Sequence, residues 1–467
     1  MNDQIKEQSQ SIADTAFTVS PNQPTAIKLV ATDEYDTWLT TLSEAQSTWL
    51  QRQNFHGSAG QFAWLEASTD SATAQVVVAW DGKDNLSSLG GLPSRLPEGD
   101  YMLIDSVTDL QLIGWGLGAY QFTRYKDAKR YPARLQLPSE NDGDKVVNTT
   151  VASHLTRDLI NTAAQDMAPS NLQAEVQALA DTFAATCEVT LDEELLDREC
   201  GAIHAVGRAA EDPPRLIDLQ WGDPTAPKIT LVGKGVTFDS GGLDIKPATG
   251  MRNMKKDMGG AATVIGLAYL IMAQNLPVRL RLLVPAAENA ISGNAFRPGD
   301  VLHTHKGLTV EIDNTDAEGR LLLCDALSVA CEDEPELIFD YATLTGSARS
   351  AVGAEIAAMF SSNDELAAAL YQIGTASDDP VWRMPLHEGY NHMLNSKVAD
   401  LVNSAASPYA GAITAALFLK KFVSIENWVH FDIMAFNTRE RPAHPEGGEA
   451  MALRTVYSYL EDTYGAA

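Results

Sequence analysis

The segment Asn314-Thr315-Asp316-Ala317-Glu318-Gly319-Arg320-Leu321 sets two carboxylates and a guanidinium at alternate positions. It runs straight into the apolar stretch Leu321-Leu322-Leu323-Cys324-Asp325-Ala326-Leu327. Residues two apart do not share a face of an α-helix. Asp316, Glu318 and Arg320 therefore converge only on an extended loop, or on a loop leading into a helix start. Gathering such charges at the edge of an apolar core is costly unless something offsets it, and a bound divalent cation would do so. Taken singly, each residue has a plainer use: Asp316 as a helix N-cap, Glu318 as a first-turn acid favoured by the helix dipole, Arg320 as a surface ion pair.

A second region supplies partner groups. The apolar stretch 229–232 reads as a buried strand. It leads into Gly233-Lys234-Gly235-Val236-Thr237-Phe238-Asp239-Ser240-Gly241-Gly242-Leu243-Asp244-Ile245-Lys246, where glycines let the backbone turn and approach a ligand. Farther on, Met254-Lys255-Lys256-Asp257 precedes the apolar run 259–274, long enough for a buried helix. Asp239, Asp257, Asp316 and Glu318 thus fall at the ends of elements, where open α/β sheets place their sites. These four carboxylates match the charge of two divalent ions. Two-metal sites of this kind serve hydrolysis, with the ions about 3.5–4 Å apart. Lys246, seven residues past Asp239, is a cation on the same glycine-rich loop. Read from residue chemistry alone, Lys234 is a substrate-anchoring cation, because a ligating lysine must be neutral against an ordinary pKa of about 10.4.

These stretches, 232–246, 254–263 and 314–321, resemble the leucyl aminopeptidase (cytosol aminopeptidase) family of two-metal peptidases, whose signature octet is intact at 314–321. The resemblance extends through Arg157-Asp158-Leu159-Ile160-Asn161-Thr162, Pro213-Pro214-Arg215-Leu216-Ile217 and Thr343-Leu344-Thr345-Gly346 to His430-Phe431-Asp432-Ile433, covering about residues 150–460. It implies an exopeptidase that releases the N-terminal residue, leucine or another apolar residue preferred, by means of a metal-activated water. It implies that Asp239 and Glu318 bridge two metal ions, that Asp316 completes one site, and that Lys234 and Asp257 complete the other. Lys246 would polarise the scissile carbonyl, and Arg320 would hold a bicarbonate ion as general base. Met254, Asn314, Thr343, Leu344 and Gly346 would contact substrate, with Met451 near the same pocket. Zn or Mn, a homohexamer and short peptide substrates complete the expectation. Asn161-Thr162-Ala163, residues 434–437 and residues 439–449 depart from the commoner family pattern, which bears on side-chain preference rather than on the reaction. The alternatives are a dipeptidase-like specialist, for example for cysteinylglycine, a non-catalytic regulatory protein on the same fold, and a two-metal phosphoesterase.

Composition bounds the rest. A chain of 467 residues is too long for one ordinary core. The expected fold is α/β in two domains: a smaller N-terminal α/β domain at 1–137, a linker and connecting helix at 138–165, and a catalytic domain at 166–467 with a mixed, mostly parallel sheet covered by helices. The net charge of −28 argues against general electrostatic binding of nucleic acid. The polar start, the lack of an 18-residue apolar run and four cysteines without Cys-x-x-Cys spacing point to a cytoplasmic protein without a membrane segment. In the N-terminal part, 34–52 reads as helical, 75–80 as a strand, 138–145 as a polar turn and 150–164 as a helix. Strands are expected near 229–233, 278–284 and 336–342. Gly114-Trp115-Gly116-Leu117-Gly118-Ala119-Tyr120 invites a phosphate-loop reading, weakened because no Lys-Ser pair follows. His303 and His305 have strand spacing and suit a surface strand better than a metal pair. Cys324, on the predicted helix after Glu318, suits core packing better than redox sensitivity.

Overall fold

The structure, a computed structural model, describes residues 4–19, 21, 23–65 and 75–465. The chain folds as two units: Lys6–His154 with Arg439–Glu446, and Met1–Ile5, Leu155–Thr438 and Gly447–Ala467.

The first unit holds a six-stranded sheet in the order Phe17–Thr18, Arg134–Gln136, Asp100–Leu103, Thr25–Ala31, Gln75–Trp80 and Phe62–Leu65, with only the last strand antiparallel. The stretch 34–52 forms two helices, Tyr35–Leu39 and Glu44–Arg52, rather than one. Ser43 restarts the chain with a capping box in which its hydroxyl accepts from Gln46 N and its own backbone N–H donates to the Gln46 side chain. The glycines at 114, 116 and 118 form no loop. They lie in the helix Asp109–Gly118, itself started by a Thr108–Gln111 capping box. There a Cβ would strike the Leu86 backbone at Gly114 and the Gly90 backbone at Gly118, so glycine here serves close packing. Residues 143–145 are helical rather than turn: the helix runs Gly143–Asn161.

The second unit is built on a nine-stranded mixed sheet. Four neighbouring parallel strands form its centre: Trp428–Asp432, Leu337–Ala342, Lys228–Gly233 and Arg279–Asn289. Antiparallel strands extend both sides, Ala357–Ser361 on one and Arg215–Trp221 on the other, and Gly235–Asp239 pairs in parallel with the far end of Arg279–Asn289. The central strands are buried along their length, as a sheet covered on both faces requires. On one face, helices Gly201–Gly207, Gly319–Cys331 and Gly411–Lys420 pack on Leu216, Val232, Leu283, Ile338 and Trp428. On the other lies Gly259–Ala273, every residue but the last buried, where a Cβ on Gly233 would press on Ala261 and Val264. Phe339 meets Tyr459 of the helix Leu453–Tyr464 on that face. The parallel register brings Gly233, Ala342 and Asp432 to one edge of the sheet, so the chain leaves three strands at the same level.

Candidate active site

At that edge the strand Lys228–Gly233 ends and Lys234 begins. Its backbone N–H donates to Tyr341 O and its carbonyl accepts from Ala261 N, both at 2.9 Å. The side chain is buried, with Nζ 2.8 Å from Asp257 Oδ2 and 3.0 Å from Glu318 Oε1. Glycine is needed at 319 because a Cβ there would run into the Lys234 side chain. Asp257 sits in the one-turn 3₁₀ segment Met254–Met258, and its Oδ1 accepts from Thr343 Oγ1 at 2.8 Å. Asp239 ends the strand Gly235–Asp239. Its Oδ1 accepts from Gly241 N at 2.8 Å and from Asn289 Nδ2 at 2.9 Å, and its Oδ2 lies 2.7 Å from Lys246 Nζ. Lys246 Nζ also pairs with Asp316. Oxygen atoms of Asp239, Asp316 and Glu318 lie within 4.8 Å of one another.

Asp316 and Glu318 reach this point on a loop that runs into the helix Gly319–Cys331, as the alternate spacing requires. The plainer readings fail: Glu318 occupies the N-cap position without a side-chain cap, and its carboxylate turns to Lys234. Arg320, in the first helical turn, donates from Nη1 to Asn403 O at 2.6 Å and has no partner for Nε among the described residues. Thr315 ties the two loops together. Its Oγ1 donates to Gly241 O at 2.6 Å and accepts from Asp244 N at 2.9 Å, while its backbone N–H donates to Asp244 Oδ2 at 2.8 Å. Gly241 and Gly242 carry φ of +88° and +63°, a left-handed path that other residues rarely take.

The electrostatics are unbalanced. Four carboxylates face the two ammonium groups of Lys234 and Lys246. Burial, then Asp257, push the Asp239 carboxyl up to about 6 against the pull of Lys246 and Lys234. Burial, then Asp239, push Glu318 to about 8. Burial opposes the Lys234 ammonium, yet Asp257, Glu318 and Asp239 outweigh it and hold it above its ordinary range. Arg320 is lowered to about 10 by burial, with Glu318 and Asp432 opposing. The set fits divalent cations on two observations of chemistry. Glu318 Oε2 is buried without a hydrogen-bond partner among the described residues. The carboxylates also exceed the cations, and added positive charge would bring Glu318 and Asp239 to their anionic, ligating form. The cluster is closed on the side of Lys234, Asp257 and Glu318, whose side chains are 2–4% exposed, and open at Asp316, which is 32% exposed.

The substrate-binding residues expected from the resemblance lie on the loops beside this cluster. Thr343 touches Asp257, Asn314 Oδ1 accepts from Asp316 N at 2.8 Å, and Leu344 N donates to Asp432 Oδ1 at 3.0 Å. Met254 is half-buried and Gly346 exposed. Met451 Sδ accepts from Ala435 N at 3.3 Å. His303 and His305 do not form a pair: His303 ends a short strand, exposed, while His305 lies beyond it and bonds to Arg198 O and Glu332. Cys324 is fully buried, as core packing predicts. Sequence reasoning missed Asn289, Asn403 and Asp432, all buried. Asn403 accepts from Asp313 N and Asn314 N and donates to Asn314 O and Ala317 O, clamping the loop that carries Asp316. Asp432 accepts from Leu344 N and Thr345 N and from Thr345 Oγ1, fixing the other loop.

Two family models match the chain: the catalytic domain of the cytosol aminopeptidase family over residues 154–457, and the N-terminal domain of M17 aminopeptidases over residues 25–138. A probable cytosol aminopeptidase of Syntrophotalea carbinolica is 43% identical over 312 residues, 66% of this chain and 62% of the relative, so that alignment spans about three fifths of the relative's length. The crystal structure of a cytosol aminopeptidase from Coxiella burnetii superposes with a TM-score of 0.92 at 47% identity, covering 97% of this chain and all of that one. The bottromycin maturation enzyme BotP, solved in complex with Mn, gives a TM-score of 0.83 at 30% identity, covering 95% of this chain and all of that one. The two-domain α/β architecture, the intact octet at 314–321 and these matches agree: the chain belongs to the cytosol aminopeptidase family, peptidase M17.

Proposed function

We propose that this chain is a metal-dependent aminopeptidase that releases the N-terminal residue of short peptides. The observation that carries the reading is the convergence of Asp239, Asp316 and Glu318 within 4.8 Å, with Lys234 set between Asp257 and Glu318. Asp239 and Glu318 would hold both of two divalent ions, Asp316 one of them, and Lys234 with Asp257 the other. When bound, such ions lower the pKa of water at the site and polarise the peptide carbonyl. Zn or Mn suits the donor set, and the Mn complex of BotP favours Mn for the first trial.

The chain's own groups do the remaining work. The open side of the cluster at Asp316 and Lys246 is where a peptide's first residue would enter. Lys246, 15% exposed, is the cation on that side, and its ammonium would donate to the scissile carbonyl oxygen as negative charge develops there. Burial works against the Lys246 ammonium, but Asp239 and Asp316 hold it above its ordinary range, so it stays a donor at neutral pH. Arg320 has an Nε–H without a partner among the described residues, which suits an anion such as bicarbonate placed to take a proton. Lys234 would ligate only as a neutral amine, so metal uptake would expel its proton. The family expectation of a hexamer and a cytoplasmic setting goes with this reading, and the expected leucine-type first residue is the part of it open to revision by the residues around the cluster. The test is hydrolysis of aminoacyl p-nitroanilides by chelator-treated protein with and without added Mn or Zn. Metal-restored turnover is expected, lost together with bound metal in Glu318→Ala and lost with metal retained in Lys246→Ala. Full activity in Glu318→Ala overturns the assignment.

A further inference from the structure

Lys256 stands beside the cluster carboxylate Asp257, 3% exposed, and has no hydrogen bond or ion pair from its side chain among the described residues. A lysine buried to this degree is rare unless paired. Its electrostatic surroundings are Arg349, Asp257, Lys234 and Asp432. The carboxylates there are already engaged: Asp257 by Lys234 and Thr343, Asp432 by Leu344 N, Thr345 N and the Thr345 hydroxyl. Arg349 is likewise without a hydrogen bond or ion pair from its guanidinium among the described residues. Its Nη2 lies 3.7 Å from the place where a Cβ would sit on Gly346, three residues earlier in the helix Gly346–Val352. Among the described residues, two cations without a hydrogen bond or ion pair thus lie by the segments that Thr343 joins to Asp257, and one of them, Lys256, is next to Asp257 in sequence.

We infer that Lys256 and Arg349 form a carboxylate subsite for the first side chain of the substrate, so that N-terminal glutamate or aspartate is preferred over leucine. The inference rests on the aminopeptidase reading, in which the first residue's amino group and carbonyl are held at the cluster. Its α-carbon is one bond from each, so its side chain must lie among the cluster's immediate neighbours. A carboxylate there would give the buried ammonium the partner it lacks and accept from the guanidinium as a fork. A peptide's C-terminal carboxylate carries the same chemistry but recedes from the cluster as the peptide lengthens.

The experiment compares kcat/KM of the Mn-loaded full chain on glutamyl, glutaminyl and leucyl p-nitroanilides, and on Leu-Gly against Leu-Gly amide. Glutamyl substrate is expected to exceed both its neutral isostere and the leucyl substrate at least tenfold. Arg349→Leu and Lys256→Met should each bring the Glu-over-Gln ratio towards one. Lys256→Met alters a buried position, so Arg349→Leu, on a half-buried side chain, carries the test if the first variant does not fold. Turnover of the leucyl substrate with a Glu-over-Gln ratio of one or less overturns the inference and leaves the aminopeptidase reading standing. A preference for Leu-Gly over its amide with no Glu-over-Gln preference moves the anion to the peptide's end and overturns the side-chain assignment. No turnover of any substrate overturns both readings.

Discussion

Asn403→Ala is the substitution that best separates the clamp from the ligands it holds. Asn403 is fully buried and touches no cluster carboxylate. Its amide oxygen accepts from Asp313 N at 2.8 Å and Asn314 N at 3.2 Å, and its Nδ2 donates to Asn314 O at 2.7 Å and Ala317 O at 3.3 Å. Alanine removes all four bonds and leaves backbone groups of the 313–317 loop without them. At about 1 kcal/mol net for each bond, less where water enters, the loss is roughly 2–4 kcal/mol. Asp316 lies in that loop and Glu318 directly follows it, so the same loss would loosen two of the proposed ligands. Groups that orient metal ligands from behind typically cost about 10–100-fold in metal affinity when removed. Calorimetric titration of chelator-treated protein with Mn, alongside thermal unfolding, reads both quantities. We expect a lower Tm together with an affinity reduced in that range. A variant that melts lower yet binds Mn with wild-type affinity refutes the reasoning, because the clamp would then hold the fold and not the ligands.

Metal uptake should depend on pH in a stated direction. Glu318, raised to about 8, and Asp239, raised to about 6, would bind metal only as anions. Apparent affinity should therefore rise from pH 6 to 8 with proton release, seen as a buffer-dependent heat of binding; a flat profile contradicts the raised Glu318 and Asp239 carboxyls. Asp325→Asn should destabilise the second unit. Oδ2 accepts from Ala202 N and Ile203 N and Oδ1 from His305 N, and an amide keeps only one acceptor. The cost is about 1–3 kcal/mol, a fall of a few degrees in Tm. Burial raises the native Asp325 carboxyl to about 7, opposed by those backbone donors. Since its folded pKa lies above the unfolded value, its contribution is fully present below the unfolded pKa of about 3.9 and is lost as pH rises through about 7. The Asn variant should lack this slope.

The ligand loop was readable because spacing alone rules out a continuous helix through Asp316, Glu318 and Arg320, and an apolar run of helical length follows them. The strand at 229–232 and the helix at 259–274 were readable for the same reason: buried parallel strands and fully covered helices are apolar throughout. Asn289 and Asn403 were not. Each is a single amide far along the chain from the carboxylate or loop it serves, brought there by the parallel register and by a short strand pairing at Leu401–Val402. Nothing local distinguishes such an amide from a surface one. Nothing local in the sequence marks Lys256, and its burial without a partner among the described residues gives it a use. The break in 34–52 and the helix over 109–118 did have local signals, the Ser43–Gln46 and Thr108–Gln111 boxes, which apolar periodicity and glycine spacing obscured.

The four carboxylates and Lys234 hang on segments that meet only when Lys228–Gly233 is zipped between Arg279–Asn289 and Leu337–Ala342. An unfolded chain therefore keeps Lys234 and Asp239, Asp257, and the pair Asp316 and Glu318 as three separate groups along the sequence, and would have little grip on a metal pair. By mass action, an ion that binds one state alone draws the population towards it by RT ln(1 + [L]/Kd), about 2.7 kcal/mol at a hundredfold excess over Kd. The abundance of folded protein in a cell would then track the free concentration of its metal, so that scarcity is felt first as a shorter lifetime of the chain and only then as slower turnover.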